Sequence, residues 1–188
     1  MWPLILLRLT AACERAAVKQ IVFLSVQGAD QMSFIPHAKI EKLIRRSGIG
    51  YTFIRPSYFM QNLTTTLKDD IVRDRRLFLP AGKALFLWVD VSDIGRAIAV
   101  VLMNWDQHQN RAYTITGNEL LTFGQVSSLL SERIGYEIRF ESPNPIRFYL
   151  TKRREGVALG LVLVTLLLHF LPQFQKAPQI SPDFTRVC

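Results

Sequence analysis

Two cysteines in 188 residues, at Cys13 and Cys188, are too few and too far apart for a disulfide framework or a metal-ligating pair. A reducing, cytoplasmic setting is the resulting expectation, with no metal site. The ten glycines include no GxGxxG or GxxGxxG spacing. The one close set, Gly48 and Gly50, precedes a strand-like run, so the chain has no turn whose amides could cradle a phosphate at a helix start. Acids are outnumbered, 15 against 23 Lys and Arg, for a formal net charge of +8. That excess raises the question of nucleic acid, but Arg45-Arg46, Arg73-Arg75-Arg76 and Lys152-Arg153-Arg154 fall in separate elements with no recognition module around them. They read as solvated faces, and no nucleic-acid partner is expected. Long apolar runs are missing too. Gly156 to Leu171 is apolar for about sixteen residues, interrupted by Thr165 and His169 and closed by Pro172, where a span needs roughly twenty. A buried or interfacial helix is expected there rather than a membrane span, with membrane association through 156–171 as the alternative. The N-terminal MWPLILLRL lacks the basic start and small-residue cleavage site of a signal peptide.

What is present is the composition of a globular domain, 49% hydrophobic and 20% charged, enough to bury a core. Gln20 to Val26 is a nearly continuous apolar, β-branched run, the pattern of a strand covered on both faces. Pro36 opens a helix with Ile40, Leu43 and Ile44 on one face and Lys39, Glu41, Lys42, Arg45 and Arg46 facing water, stopped by Gly48. Tyr51 to Arg55 is again β-prone and ends at Pro56. Strand, crossover helix and strand should be parallel and right-handed. Ser25, Arg55 and Ser57 then share the carboxyl edge, where open α/β sheets bind ligands. Met1 to Lys19 predicts an apolar start and a helix with Leu9, Ala12, Cys13 and Ala16 on one face. Tyr58 to Arg75 predicts a helix with Phe59, Leu63, Leu67 and Ile71 inward. Short apolar runs follow at Leu77–Leu79 and Ala84–Val89, then a helix from Asp93 to Met103 capped by Ser92. Ala112–Thr116 is a strand. Thr122 to Gln125 is a capping box opening a helix that Gly135 ends, and Glu137–Glu141 is a last strand. Pro143 and Pro145 mark the boundary to the C-terminal segment.

The segments IVFLSVQGAD, the HAKIE run, SGIGYTFIRPSYFMQN, VDVSDIGRAIAVVL and AYTITGNELLTFGQV resemble, in that order, the NmrA-like branch of the atypical short-chain dehydrogenase/reductase superfamily. The resemblance runs from about Ala11 to the end. It implies an α/β fold: part of a Rossmann-like doubly wound parallel sheet over residues 1–142, binding NADP or NAD, then a small α+β or helical substrate region over residues 143–188. It implies an NAD(P)H-dependent reductase of a quinone or a small carbonyl or unsaturated metabolite. The alternative is a regulatory protein that senses the dinucleotide without turnover. Such a domain normally begins with a strand, a glycine-rich turn and a helix, so the chain is expected to be truncated at the front, and at the back as well. Isolated, it should bind dinucleotide weakly or not at all and self-associate through the edge at 20–26. Small-molecule substrate and a homo-oligomer complete the expected partners.

The superfamily's mechanism pairs a proton-donating tyrosine with a lysine four residues later and a substrate-orienting serine. By resemblance Lys39 takes the place of the lysine and Ser25 that of the serine. Ile35 stands where the tyrosine would, and an isoleucine transfers no proton. His37, with an unperturbed pKa of about 6.5, is a candidate donor, as is Lys39 itself, as in isoflavone-reductase-like relatives. The same resemblance sets Pro56, Ser57, Tyr58 and Phe59 beside the nicotinamide with Ser25 and Lys39, and Met60 and Asn62 toward substrate. Arg55 either joins this set or pairs with an acid at the sheet edge.

Overall fold

The computed structural model describes residues 2–188, with side chains from Arg8 onward. Met1 and the side chains of residues 2–7 lie outside the described residues, and with them most of the expected apolar start. In chain order the first elements are α1 (Trp2–Arg15), β1 (Gln20–Leu24), α2 (Pro36–Arg46), β2 (Gly50–Pro56), β3 (Tyr58–Phe59), α3 (Lys68–Asp74), β4 (Arg76–Phe78) and β5 (Phe86–Val89). They are followed by α4 (Val91–Met103), β6 (Arg111–Ile115), β7 (Leu120–Leu121), α5 (Phe123–Ile134), β8 (Arg139–Glu141), α6 (Pro145–Arg154), α7 (Leu159–Phe170) and α8 (Asp183–Val187). The chain forms two compact units that alternate along the sequence. One comprises the residues up to Phe59, Val89–Gly117 and Ile180–Cys188; the other comprises Met60–Trp88 and Asn118–Gln179.

The first unit holds a parallel sheet in the order β1-β2-β6, with Leu24 opposite Ile54 and Pro56 opposite Ile115. Successive residues of a strand face opposite ways, and β2 is buried from Thr52 to Pro56. Ile54 enters a core with Val89, Ile94, Ala97, Val101, Ile115 and Val187, supplied by β5, α4, β6 and α8. Arg55, one residue on, meets Glu41 of α2. Helices therefore cover both faces, the doubly wound arrangement expected of a continuous apolar strand. β1 lies at the end of this strand order, with Leu24 44% exposed. Gly50 has a close-approach role: a Cβ there would lie 2.7 Å from the Lys19 carbonyl oxygen.

In the second unit β4 runs parallel to β8 and β5 antiparallel to β7. Leu77, Phe78, Leu87, Phe123, Phe148 and Val162 are fully buried there. Lys152 reaches both carboxylate oxygens of Asp70 at 2.7 Å. Burial pushes the Asp70 carboxyl up and the Lys152 ammonium only partly offsets it. His169 of α7 is buried against Phe123 and bonds through Nδ1 to the Thr165 carbonyl at 2.7 Å. Its desolvation lowers the imidazole pKa to about 4.

Several expectations are corrected. The helix expected over Tyr58–Arg75 is a two-residue strand, a 3-10 turn at Met60–Leu63 and only then α3. The hydroxyls of Thr64 and Thr65 bond back to the Gln61 carbonyl, an alternative that competes with helix propagation. Leu67 and Ile71 are buried as expected. The cap of α4 is Asp90, whose carboxylate accepts from the Ser92 amide at 2.7 Å; Ser92 lies inside the helix. The face of α1 bearing Leu9, Ala12 and Ala16 is exposed, with Leu9 at 51%. A helix capped by Asn144, α6, begins at the boundary that Pro143 and Pro145 mark. The capping box of Thr122 and Gln125 and the left-handed Gly135 delimit α5 as expected.

Candidate functional site

Backbone bonding between the strands continues past their ends. The Ser25 amide donates to Ile54 O at 2.7 Å, the Gln27 amide to Pro56 O at 3.0 Å and the Ser57 amide to Ile115 O at 3.0 Å. The carboxyl tips of β1, β2 and β6 thus lie side by side and point the same way.

Four polar side chains gather there. The Ser25 hydroxyl donates to Glu41 Oε1 at 2.6 Å. The Arg55 guanidinium grips Glu41 with Nε at 3.0 Å and Nη2 at 2.7 Å, and its Nη1 lies 3.2 Å from Asp30. Ser25, Glu41 and Arg55 are buried, while Asp30 is exposed. Burial acts to raise the Glu41 carboxyl, but hydrogen bonds from Arg55 and Ser25 outweigh it and hold the group below its usual range. The bond to Glu41 in turn raises Arg55. The bidentate pair fastens α2 to the face of β2 that also carries Phe53, over which the Arg45 guanidinium sits at 4.9 Å.

Glu41 is a correction to the sequence reading, which set it facing water. It shares the inner face of α2 with Ile44. The signal was available: an arginine inside an otherwise apolar buried strand needs a carboxylate, and between β1 and β2 the acids are Asp30 and Glu41. Arg55 is committed to both.

Ser57 contrasts with Ser25, since its Oγ is buried with no hydrogen-bond partner. Pro56 before it is buried and pairs with Ile115. Tyr58 is half-buried, and Phe59 packs against the α4 and α8 core. On α2, His37 is half-buried on the sheet side, its ring centroid 6.1 Å from that of Phe23. Lys39 is exposed, on the outward face with Lys42 and Arg46. Ile35 is the N-cap residue of α2 and makes no side-chain cap. Met60, 43% exposed, and the half-buried Asn62 sit in the 3-10 turn that opens the second unit.

A parallel sheet with helices on both faces and a polar cluster at its carboxyl edge defines the Rossmann-like class of nucleotide-binding folds. The chain belongs to the NmrA-like family, whose model matches residues 6–151. It is 30% identical over 146 residues to Prestalk A differentiation protein A of Dictyostelium discoideum, covering 78% of this chain and 47% of that protein. It is also 30% identical over 137 residues to NAD(P)H azoreductase of Xenophilus azovorans, covering 70% and 47%. Its fold is similar to that of Citrobacter sp. triphenylmethane reductase complexed with NADP(H), with a TM-score of 0.81 at 22% identity over 95% of this chain and 63% of that one. The NADPH-dependent quinone oxidoreductase QOR2 of Escherichia coli gives a TM-score of 0.83 at 20% identity over 95% and 65%. The chain spans about half the length of the curated relatives it matches. No helix among the described residues is long and apolar enough to cross a membrane.

Proposed function

We propose that this chain belongs to an NAD(P)H-dependent reductase of a quinone or a small carbonyl or unsaturated metabolite, working in the cytoplasm. Two relatives, the azoreductase and Quinone oxidoreductase 2 of Escherichia coli, support the class. The observation that carries the reading is the Ser57 hydroxyl: buried, without a partner, at the carboxyl tip of the central strand. A buried donor left unpaired is destabilising, and a carboxamide group would satisfy it. The residues present therefore fit the nicotinamide end of NADP or NAD. When bound, that ring supplies the hydride.

This chain's own residues divide the remaining work. Ser57, with the backbone of Pro56 to Phe59, holds the carboxamide. Ser25 is oriented by Glu41 and keeps lone pairs to accept from substrate or ribose. His37, on the sheet side of α2, is the proton donor in place of the absent tyrosine. Lys39 contributes its ammonium to the ribose by reaching over from the outer face of α2, while Met60 and Asn62 serve the substrate. The second reading, a dinucleotide sensor without turnover, is favoured by Ile35 at the tyrosine position and by the commitment of Ser25 to Glu41.

Calorimetric titration of NADPH and NADH, with steady-state oxidation against quinones and azo dyes, tests both. Turnover that falls about 100-fold in His37→Ala supports the reductase. Tight binding without turnover on any acceptor leaves the sensor, and no binding ends both. Lys39→Ala should weaken binding by about 1 to 3 kcal/mol; unchanged affinity removes Lys39 from the site.

A further inference from the structure

We infer that the α6–α7 pair is a docking face for an anionic membrane surface, lying in the interface without spanning it. Helices on a water-exposed surface turn polar residues outward. In α7 the reverse holds: every exposed residue from Leu159 to Leu171 is Leu, Val or Gly. The leucines and the valine among them are 40% to 52% exposed, and only Val162 and His169 of the helix are buried. At 3.6 residues per turn the outward positions sweep about 200° of the helix surface, more than one packed neighbour or a small ligand covers. Of the two readings of this segment, buried or interfacial, its exposure fits the interfacial one. Two further large apolar side chains of this segment are exposed, Phe174 at 73% and Ile146 of α6 at 74%.

Charge identifies the occupant. Residues 143–179 carry Arg147, Lys152, Arg153, Arg154 and Lys176 against a single acid, Glu155. Lys152 already holds Glu155 at 2.8 Å as well as Asp70. Arg147 lies 3.7 Å from Glu141; Arg153, which donates to the Val157 carbonyl at 2.7 Å, and Arg154 are exposed and face no acid in any ion pair among the described residues. A second copy of the chain related by a twofold axis would set this basic rim against itself, whereas anionic headgroups complement it. The length of α7, 12 residues, is about 18 Å at 1.5 Å per residue, short of a hydrocarbon core of about 30 Å. Leucines entering the acyl boundary with arginines held at headgroup level match this surface. The inference uses none of the strand-end residues and stands apart from the reductase reading.

Flotation of the 188-residue chain with vesicles of phosphatidylcholine, alone or mixed with phosphatidylserine, is the test. The expected result is binding to the mixed vesicles that weakens with salt. Arg153→Gln combined with Arg154→Gln should lower the partition coefficient by about 10- to 30-fold, and Leu163→Ser with Leu167→Ser should abolish flotation. Circular dichroism and thermal unfolding of both variants should match the parent, because the four side chains are exposed. Equal binding to neutral vesicles overturns the role of charge. Absence of flotation overturns the inference, and a dimer in sedimentation velocity that Leu163→Ser dissociates would assign the face to self-association instead.

Discussion

At the scale of single residues, two serines with the same sequence credentials take opposite roles. Both follow β-branched or aromatic runs and sit at strand tips, so from sequence they were equivalent candidates. The helix crossing above β1 and β2 separates them, because it brings Glu41 to Ser25 and nothing to Ser57. Removing the unpaired hydroxyl in Ser57→Ala should raise the stability of the ligand-free protein by about 1 kcal/mol, read as a higher urea midpoint, while weakening dinucleotide binding. A lower midpoint would show that Oγ has a partner after all. Glu41 has the converse profile. Glu41→Ala leaves the Arg55 guanidinium in a site where it is 7% exposed, facing only the exposed Asp30, and should destabilise by about 3 kcal/mol. Equilibrium urea unfolding checks this, and a loss below about 1 kcal/mol would mean that Asp30 and water suffice for Arg55.

At the scale of elements, those with local punctuation were legible. Pro36 at the start of α2, the Thr122 and Gln125 box and Gly135 around α5, and the alternation along β2 all act within a few residues, and the elements formed where those signals stand. The failures share a cause. Between Tyr58 and Arg75 the apolar period is helical, but the three consecutive threonines offer the backbone local hydroxyl bonds, and the Asn62 carbonyl takes the Leu67 amide at 2.9 Å. The period measures where apolar side chains recur, not whether the chain between them propagates. Gly50 supplies a test at this scale. Gly50→Ala meets the Lys19 carbonyl oxygen, a backbone atom that cannot swing aside, so it should shift the β1–β2 register or destabilise by about 1 to 3 kcal/mol. Faster amide exchange across Gln20 to Leu24, with α5 unaffected, is the measurement.

At the scale of the whole molecule, stability should depend on pH through His169. Its folded pKa of about 4 lies below its usual value because burial disfavours the charged ring. The contribution of the neutral form is complete above about pH 6.5 and is lost as pH falls from there toward 4, since the unfolded chain takes up the proton first. Between pH 7 and pH 5 the loss is about 2 kcal/mol. Glu41, with a lowered pKa, adds its own loss only below the usual carboxylate range, and Asp70, with a raised one, acts in the opposite sense. Unfolding free energies from urea at pH 7 and pH 5 should therefore differ by about that amount in the parent. In His169→Gln, which keeps a donor for the Thr165 carbonyl, they should nearly coincide. An equal difference in both proteins would move the pH dependence to other groups.

The amino-acid sequence alone determined the class of this protein: a parallel strand–helix–strand with reactive side chains at its carboxyl edge, and helix limits at α2 and α5. These follow from steric and hydrogen-bonding preferences that neighbouring residues settle between themselves. Tertiary structure alone decided that Glu41 turns inward to Arg55 and Ser25, that Ser57 is the unpaired hydroxyl, and that α7 exposes its leucines. Each depends on what stands opposite a side chain many residues away, and burial and pairing energies there exceed the few tenths of a kcal/mol that local preference supplies.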